Sequence, residues 1–482
     1  MPHSRTDLDR HALFVPDLLD LIADMLDPDD WLALMRTRQS IFPIMAARVW
    51  REIGAHVITD LIVETPQTSK SRLSNLNGTE PALDFTRFDI YAPFVKQVTV
   101  YCSILHGFDS ERRRIFAGRA KKGRLLPNVT SLTLMTSDLD SEDIEALLWF
   151  DLLLTPSLRE LRVEPVAKTC GSWASDLVAS NLLEKLRTAC PAIEGIEFYP
   201  RDTKGDSRRN AYNLAHVPWL FHPRDFSLFI RLQSITSSIC ILDDGGLETL
   251  GALPRLKSLE LYGCDEQPKG LKFSVSDDSF PCLIRLSLLY VDNTNLPLIM
   301  GIKPLSSGLT YLRITQMFGN EEKFKYDRCE DWLSRTLPGL FEHTSHLRTL
   351  IFDATQMPEH SAYSNTYGIN SMSLLQVISR LPLQHIFLYG IDFRSAGFFE
   401  YLPTAFPQLL SLELSHQHMH TADLTQLAKL SNLRYLVLDQ TIQLKRPLPP
   451  TLPDPRSPLE TIHVNFNPDD YRSPVGAGQV AR

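Results

Sequence analysis

The sequence lacks the features that mark secreted, membrane-spanning or disulfide-bonded proteins. Its seven cysteines are scattered and none forms a CxxC pair, so we expect reduced thiols. No apolar run approaches the ~18 residues of a membrane span. The start, MPHSRTDLDRHALF, contains acidic residues and no long apolar stretch, so we expect no signal peptide. We therefore expect a cytoplasmic or nuclear protein, or one of both compartments, with no membrane partner.

Motifs of catalysis are also missing. The chain contains no P-loop, no glycine-rich dinucleotide fingerprint, no GxSxG elbow and no HExxH pair. A net charge of −8 argues against a general nucleic-acid binder. We expect a protein that is not an enzyme and needs no metal or cofactor. One basic run, Arg112 to Arg124, resembles a nuclear import signal, although it also fits a solvated helix face.

The length of the chain favours several domains or a solenoid. At 482 residues it exceeds the ~250–300 at which single hydrophobic cores stop growing. Composition and pattern divide it into four parts. We predict a helical domain at residues 12–60, a linker at 61–93, a repeat domain at 94–466 and a disordered tail at 467–482.

The first of these parts reads as three short helices. Pro16 suits a first helical turn, Asp27 is a good N-cap for a second helix, and the third is predicted over residues 41–53. Three helices in about forty residues are near the lower limit of independent stability. Their apolar stripes are wide enough to leave surface uncovered, which predicts an interaction site. The alternative is that this surface packs on the rest of the chain.

These residues resemble an F-box, especially the fungal form. The positions that match are Pro16, Leu18, Leu19, Ile22, Leu26, Asp30, Trp50 and Arg51. The sequence departs from the pattern where Trp31 replaces a leucine and where Thr37 and Arg38 stand in place of an apolar-Cys pair. The resemblance implies docking on the Skp-type adaptor of a Skp–Cullin–F-box ubiquitin ligase, with the cullin as scaffold. It implies these adaptor-binding residues: Pro16, Leu18, Leu19, Ile22, Leu26, Asp30, Trp31, Leu34 and Trp50.

The rest of the chain repeats one small motif, apolar-x-x-apolar-x-apolar. Twelve copies begin at Val95, Val129, Leu158, Ile193, Leu256, Leu283, Leu309, Leu347, Leu383, Leu409, Leu433 and Leu459. The large gap after Ile193 has room for one degenerate copy near LQSITSS. Proline often stands two residues before the first apolar position, where it ends the preceding helix and needs no ladder donor at the start of a strand.

Strand patterns alternating with helical patterns, such as TADLTQLAKL, at this period are typical of leucine-rich repeats. One copy cannot bury its apolar face alone, whereas stacked copies can. The predicted fold class is an α/β solenoid, a leucine-rich-repeat horseshoe preceded by the small all-α three-helix domain. The alternative is a doubly wound α/β domain.

Residues that alternate with the buried leucines are predicted to line the concave face. Tyrosine and arginine on a rigid exposed surface often anchor an interface. The predicted substrate-binding residues are Tyr262, Tyr311, Arg313, Ile351, Phe387, Tyr389 and Tyr435. The alternative is that they are ordinary cross-strand neighbours.

An F-box followed by leucine-rich repeats is a known pairing, and it implies a division of labour. The helices would join the ligase and the repeats would capture a protein substrate, whose identity the sequence does not specify. The function implied is substrate recognition in a Skp–Cullin–F-box ligase. The alternative is a scaffold or protein-interaction module that works without the ligase.

Overall fold

A computed structural model describes residues 16–64, 83–101, 115–120, 123–136, 138–139, 144–164, 173–174, 176–200, 223–243, 245–263, 275–292, 294–315, 338–354, 371–389, 397–415, 419–439, 442–443 and 461–465. The chain divides into two compact units, Met1–Thr236 and Ser237–Arg482. Each unit is built on a parallel sheet in which consecutive strands are supplied by consecutive repeats.

The sheet of the first unit has six described strands. They are β1 Glu52–Gly54, β2 Gln97–Tyr101, β3 Ser131–Met135, β4 Glu160–Glu164, β5 Gly195–Glu197 and β6 Ser234–Ser238. Each pairs in parallel with the next one in this order. Short two-residue strands lie beside the main sheet at Val63–Glu64, Leu83–Asp84, Asp138–Leu139, Trp173–Ala174 and Tyr199–Pro200.

The described helices of this unit precede or connect the strands. They are α1 Pro16–Asp24, α2 Pro28–Thr37, α3 Phe42–Val49, α4 Ala55–Asp60, α5 Thr86–Tyr91, α6 Ile144–Leu153 and α7 Asp176–Ala189, with 3-10 turns at Ala92–Phe94 and Pro223–Leu228. Residues 115–120 are also helical.

The second unit continues the same pattern. Its strands are β7 Ser258–Tyr262, β8 Arg285–Leu289, β9 Tyr311–Thr315, β10 Thr349–Asp353, β11 His385–Tyr389, β12 Ser411–Ser415, β13 Tyr435–Asp439 and β14 Thr461–Asn465, each parallel to the next. Its helices are α8 Gly246–Gly251, α9 Asn295–Met300, α10 Lys303–Ser306, α11 Ser371–Ile378, α12 Phe398–Ala405 and α13 Thr421–Leu427. A 3-10 turn at Ile239–Leu242 and a pair of short strands, Met419–His420 and Ile442–Gln443, complete it.

One main-chain hydrogen-bond pattern recurs between repeats. The carbonyl of the residue just before a strand accepts the N–H groups of two successive residues of the next repeat. The Arg51 carbonyl accepts the N–H groups of Lys96 and Gln97, both at 2.9 Å. The Lys96 carbonyl in turn accepts the N–H groups of Thr130 and Ser131, at 2.7 and 3.1 Å. In the second unit the same pattern runs from Lys257 through the carbonyls of Ile284, Thr310, Arg348, Gln384 and Leu410. These paired bonds fix the register of each strand against its neighbour.

Fixed register aligns the apolar positions into columns. In the second unit the register pairs Leu259 with Leu286, Leu286 with Leu312, and Leu312 with Leu350. These side chains are almost completely buried. Burying one leucine contributes roughly 1.5–3 kcal/mol, and each column adds one such residue per repeat. The core therefore lies under the sheet, between it and the helices.

All twelve predicted strands are present, and the degenerate copy near LQSITSS is confirmed as β6, where Ile235 and Ser237 are buried. A further strand, β1, was not predicted. Its motif residues are Trp50, Ile53 and Ala55. The carbonyl of Arg51, just before β1, begins the series of paired hydrogen bonds between repeats. The prediction of a third helix over residues 41–53 is wrong at its end, because α3 stops at Val49 and the chain turns into the sheet.

The prolines before the strands occupy a different place from the one predicted. Pro127 and Pro156 lie at the second position of four-residue turns, closed by hydrogen bonds from Val129 to Leu126 and from Leu158 to Thr155. Proline is preferred there because its φ matches the turn. The turns are also joined between repeats, since the Ser157 hydroxyl donates to the Pro127 carbonyl at 3.1 Å. Proline therefore shapes the approach to each strand and does not begin the strand itself.

Aromatic packing joins the helices to the first strands. The Trp50 ring stacks on Tyr91 with centroids 4.2 Å apart, and Phe42 lies 6.0 Å from Tyr91 and 6.2 Å from Phe94. The Trp50 indole N–H is buried and has no hydrogen-bond partner, so this side chain contributes by packing. The third helix, Trp50, α5 and the turn Ala92–Phe94 thus share one set of aromatic contacts just before strands β1 and β2.

The predicted domain limits at residues 60 and 93 remain predictions, but the elements near them are clear. Residues assigned to the helical domain include β1 and α4, and Ile58 of α4 is fully buried. The predicted linker contains α5 and the turn Ala92–Phe94 at its C-terminal end. The predicted tail, residues 467–482, lies outside the part of the chain that the structure describes.

Replacing Trp50 by Ala should destabilise the first unit by about 2 kcal/mol, because the ring is partly buried and removing a fully buried aromatic side chain typically costs about 3–5 kcal/mol. Trp50→Phe is the matched control, because it keeps a ring against Tyr91 and sacrifices no hydrogen bond, and it should cost clearly less. Urea unfolding followed by circular dichroism measures both. Unchanged stability in Trp50→Ala would show that the ring is not part of this junction.

Candidate interaction surfaces

The three opening helices enclose a small core of their own. Leu19, Ala23, Ile41 and Met45 are buried in it, with partly buried side chains of α2 and α3 packed around them. The Trp31 indole N–H donates to the Ala23 carbonyl at 2.8 Å and ties α2 to α1.

An ion-pair cluster holds α1 against α3. Arg48 contacts the carboxylates of Asp20 at 3.1 Å and Asp24 at 2.5 Å, and it also donates to the Asp20 carbonyl. The hydrogen bond that Arg48 donates to the Asp24 carboxylate is the main reason that the Arg48 pKa is raised. Both carboxylates are well exposed, so solvent screening limits their contribution to stability. The cluster fixes which side of α1 faces the rest of the chain.

The predicted adaptor-binding residues differ in their exposure. Leu18 is 36% exposed and Asp30 is exposed, whereas Leu19 is only 6% exposed and belongs to the helical core. Trp50 packs on Tyr91. The remaining described side chains are partly buried: Ile22, Leu26, Trp31 and Leu34. Pro16 begins α1, and its side chain lies outside the described part of the structure.

Two strongly exposed apolar residues, one in α1 and one in the turn directly after it, were not among the predicted site residues. Leu21 of α1 is 62% exposed and Met25 of the turn is 88% exposed, and with Leu18 they follow the spacing i, i+3, i+7. The spacing i, i+3, i+7 could have revealed them, but it does not show which of two apolar stripes faces inward. We call Leu18, Leu21 and Met25 the α1 stripe.

The open face of the second sheet carries the predicted substrate-binding residues in three rows. The central row brings Arg313, Ile351 and Phe387 side by side on neighbouring strands. Tyr389 lies beside Asp353 in the next row. The other predicted residues are further apart. In the first row, three residues lie between Tyr311 and Tyr435, namely Thr349, His385 and Ser411. In the third row, Leu289 and Thr315 lie between Tyr262 and Asp353.

Charged residues on β7 to β9 interact with one another. The Arg285 guanidinium lies 4.1 Å from the centre of the Tyr311 ring. Burial raises the pKa of Glu260. Hydrogen bonds from Ser287 and Tyr262 and the charge of Arg313 lower this pKa, but by less than burial raises it. The buried Nε of Arg313 has no hydrogen-bond partner. Arg313 thus acts on Glu260 through its charge, with Ser287 between them in the same row of the sheet.

The strands that follow bear acids and aromatic rings. The Tyr389 hydroxyl donates a hydrogen bond to Glu413, and Asp353 lies on the other side of it. Burial is the main cause that raises the Tyr389 pKa, and these two carboxylates raise it further. Phe387 is the register partner of Glu413. We call Asp353, Phe387, Tyr389 and Glu413 the acid–aromatic surface.

His385 adds little positive charge to this region. Its Nδ1 lies 2.9 Å from the Ser411 hydroxyl, and burial lowers its pKa. The neutral ring is therefore favoured near pH 7. The acids Asp353 and Glu413 were recognisable as outward-facing from the alternation of the strands, but the prediction selected aromatic residues and Arg313 because these dominate interface anchors.

Similarity to known proteins is low. No protein-family model matches the sequence, and no curated protein matches it. Among solved structures, an internalin from Listeria monocytogenes aligns with 74% of this chain and 95% of its own, at 15% identity and a TM-score of 0.28. A chain of the TLR13–ssRNA13 complex aligns over 73% of this chain and 41% of its own, at 13% identity and a TM-score of 0.28. Values this low do not bear on function.

The fold itself is of leucine-rich-repeat type, since each repeat adds one parallel strand with two buried apolar positions to a stacked sheet. Within the described ranges, no helix is long and apolar enough to cross a membrane. In the same part of the chain no three His, Cys, Asp or Glu side chains are grouped as a metal site would need.

The raised pKa of Glu260 makes stability depend on pH. An unfolded glutamate titrates near 4.3, so the protonated side chain stabilises the fold below that pH, and this contribution is lost as the pH rises through the folded pKa. Glu260→Gln should therefore gain stability relative to the native protein between about pH 4.5 and 7.5. Urea unfolding at both pH values measures the difference. A difference that stays constant or shrinks with rising pH would contradict the assignment.

Proposed function

We propose that the protein is a substrate-recognition subunit of a Skp–Cullin–F-box ubiquitin ligase. In this proposal the opening helices dock on the Skp-type adaptor, which links the chain to the cullin, and the repeats capture a protein substrate. The chain itself carries out no catalysis and works in the cytoplasm, the nucleus or both. A scaffold that uses the same surfaces without the ligase is the alternative.

The observation that supports adaptor docking most directly is the α1 stripe. Leu18 and Leu21 of α1 and Met25 of the turn directly after it place three apolar side chains in solvent, while Leu19 and Ala23 fill the helical core. Exposing large apolar side chains to water is unfavourable, so a contiguous stripe favours a binding surface. The matching F-box positions in the same helix connect this surface with the adaptor.

The junction around Trp50 supports the division of labour. Because α3 packs on Tyr91 and Phe94 and leads directly into β1, the helices are anchored to the first strands of the sheet. A docked adaptor would then hold this part of the sheet in a defined orientation. Such an arrangement suits a subunit that must present a bound protein to an enzyme.

Replacing Leu21 and Met25 together by Asp should abolish adaptor binding, because two charges would have to lose water in the docked interface. Binding of a purified Skp-type adaptor to the full chain, measured by calorimetry, tests this. Stability should remain near the native value, since both positions are exposed in the free protein.

The matched control is Ile230→Asp, which places a charge at another exposed apolar position of the first unit. It should bind the adaptor normally. If the native protein binds no adaptor, the ligase assignment is wrong and the scaffold alternative gains. If Leu21→Asp/Met25→Asp binds as well as the control, docking does not use the α1 stripe.

A further inference from the structure

The open face of the second sheet separates its charges along the order of the strands. On β8 and β9 the outward positions include Arg285 and Arg313. On the next four strands, β10 to β13, the outward side chains that the structure describes include acids and no Lys or Arg: Thr349, Ile351, Asp353, His385, Phe387, Tyr389, Ser411, Glu413, Tyr435 and Val437. This part of the face is therefore negative and aromatic.

The acid–aromatic surface lies in the middle of these four strands. Phe387 and Tyr389 extend from β11, with Asp353 on the strand to one side and Glu413 on the strand to the other. Neighbouring strands are ~4.8 Å apart. Each carboxylate is therefore one strand away from the rings, and the strands of the two carboxylates are about twice that distance apart. All four side chains are partly exposed, so a partner can reach them.

The hydrogen bond from Tyr389 fixes one of the carboxylates. Glu413 accepts the tyrosine hydroxyl while remaining in line with Phe387, its register partner. A carboxylate has two oxygens and about four acceptor sites, so this bond leaves capacity for a second donor. The result is a positioned anion beside an aromatic residue of the neighbouring strand.

A guanidinium group is the chemical group best matched to this arrangement. Its planar face stacks on aromatic rings, and its N–H groups donate to carboxylates. Arg313, on the strand next to that of Asp353, bears the opposite charge. It acts through that charge on Glu260 and on Tyr389. Ile351 separates it from Phe387 in the central row. The same sheet already shows the geometry once, because Arg285 lies over the Tyr311 ring.

We propose that the acid–aromatic surface binds an arginine side chain of a protein partner. The inference deepens the proposed function by naming the chemistry of the substrate segment that the repeats would capture. An arginine in an exposed, basic segment would place its guanidinium against Phe387 and donate to Glu413, with Asp353 adding attraction from the other side. An aromatic or acidic segment would find no such complement here.

The test uses the full chain and a fluorescein-labelled peptide of alternating Gly, Ser and Arg residues, with binding followed by fluorescence anisotropy at physiological salt. Asp353→Asn/Glu413→Gln should weaken binding about tenfold, and Phe387→Ala should weaken it severalfold. The matched control, Asp277→Asn/Asp278→Asn, removes two exposed acids elsewhere in the same unit and should change the affinity less than twofold. A peptide with Lys in place of Arg should bind the native protein more weakly.

Three results would overturn the proposal: no binding of the arginine peptide, equal loss in the site and control variants, or equal affinity for the arginine and lysine peptides with no effect of Phe387→Ala. Thermal unfolding of each variant verifies that its fold is retained. Adaptor binding of the same variants is measured in parallel and should be unchanged. If the native protein does not bind the adaptor, the ligase role is rejected but arginine binding is not, because the peptide measurement contains no adaptor.

Discussion

The paired hydrogen bond between repeats is the constraint on which the rest of the structure depends. From Arg51 to Glu194 and from Lys257 to Leu410, the carbonyl before each strand accepts two N–H groups of the next repeat, which opposes a slip of those strands by one residue. A slip would exchange the two faces of the strand and expose its leucines. Because the register holds, buried residues form columns and outward residues form rows. The rows on which partners can dock are thus a consequence of main-chain geometry.

The same bond determines where the opening helices sit. Arg51 provides its first carbonyl, and Trp50 immediately before it packs on Tyr91. The residues that end the F-box resemblance are therefore the residues that begin the sheet. This double use explains why Trp50 is not free on the helical surface, whereas Leu21 and Met25 are exposed there. One short segment joins the proposed adaptor surface to the repeat stack.

The sequence predicted the strands well because their signal is local. Each copy of the motif contains its own buried positions, and copies such as Leu312 and Leu350 could be aligned by spacing alone. Strand β1 was missed because Trp50 and Ile53 also fit a helical stripe, and only pairing with Gln97 and Val98 distinguishes the two. The surfaces were harder to predict. Whether Leu19 or Leu21 faces water depends on which of them packs against Ile41 and Met45 of the neighbouring helical segment, and the grouping of Phe387 with Glu413 depends on register across strands.

Native-state hydrogen exchange at the first step of the ladder tests the central claim most directly. The amides of Lys96 and Gln97 donate to Arg51, and those of Thr130 and Ser131 donate to Lys96 one repeat later. If β1 and the helices are an integral part of the first unit, both pairs should exchange with similar free energies of opening. Exchange of Lys96 and Gln97 at the rate of an unprotected edge, with Thr130 and Ser131 still protected, would show that the ladder does not begin at Arg51.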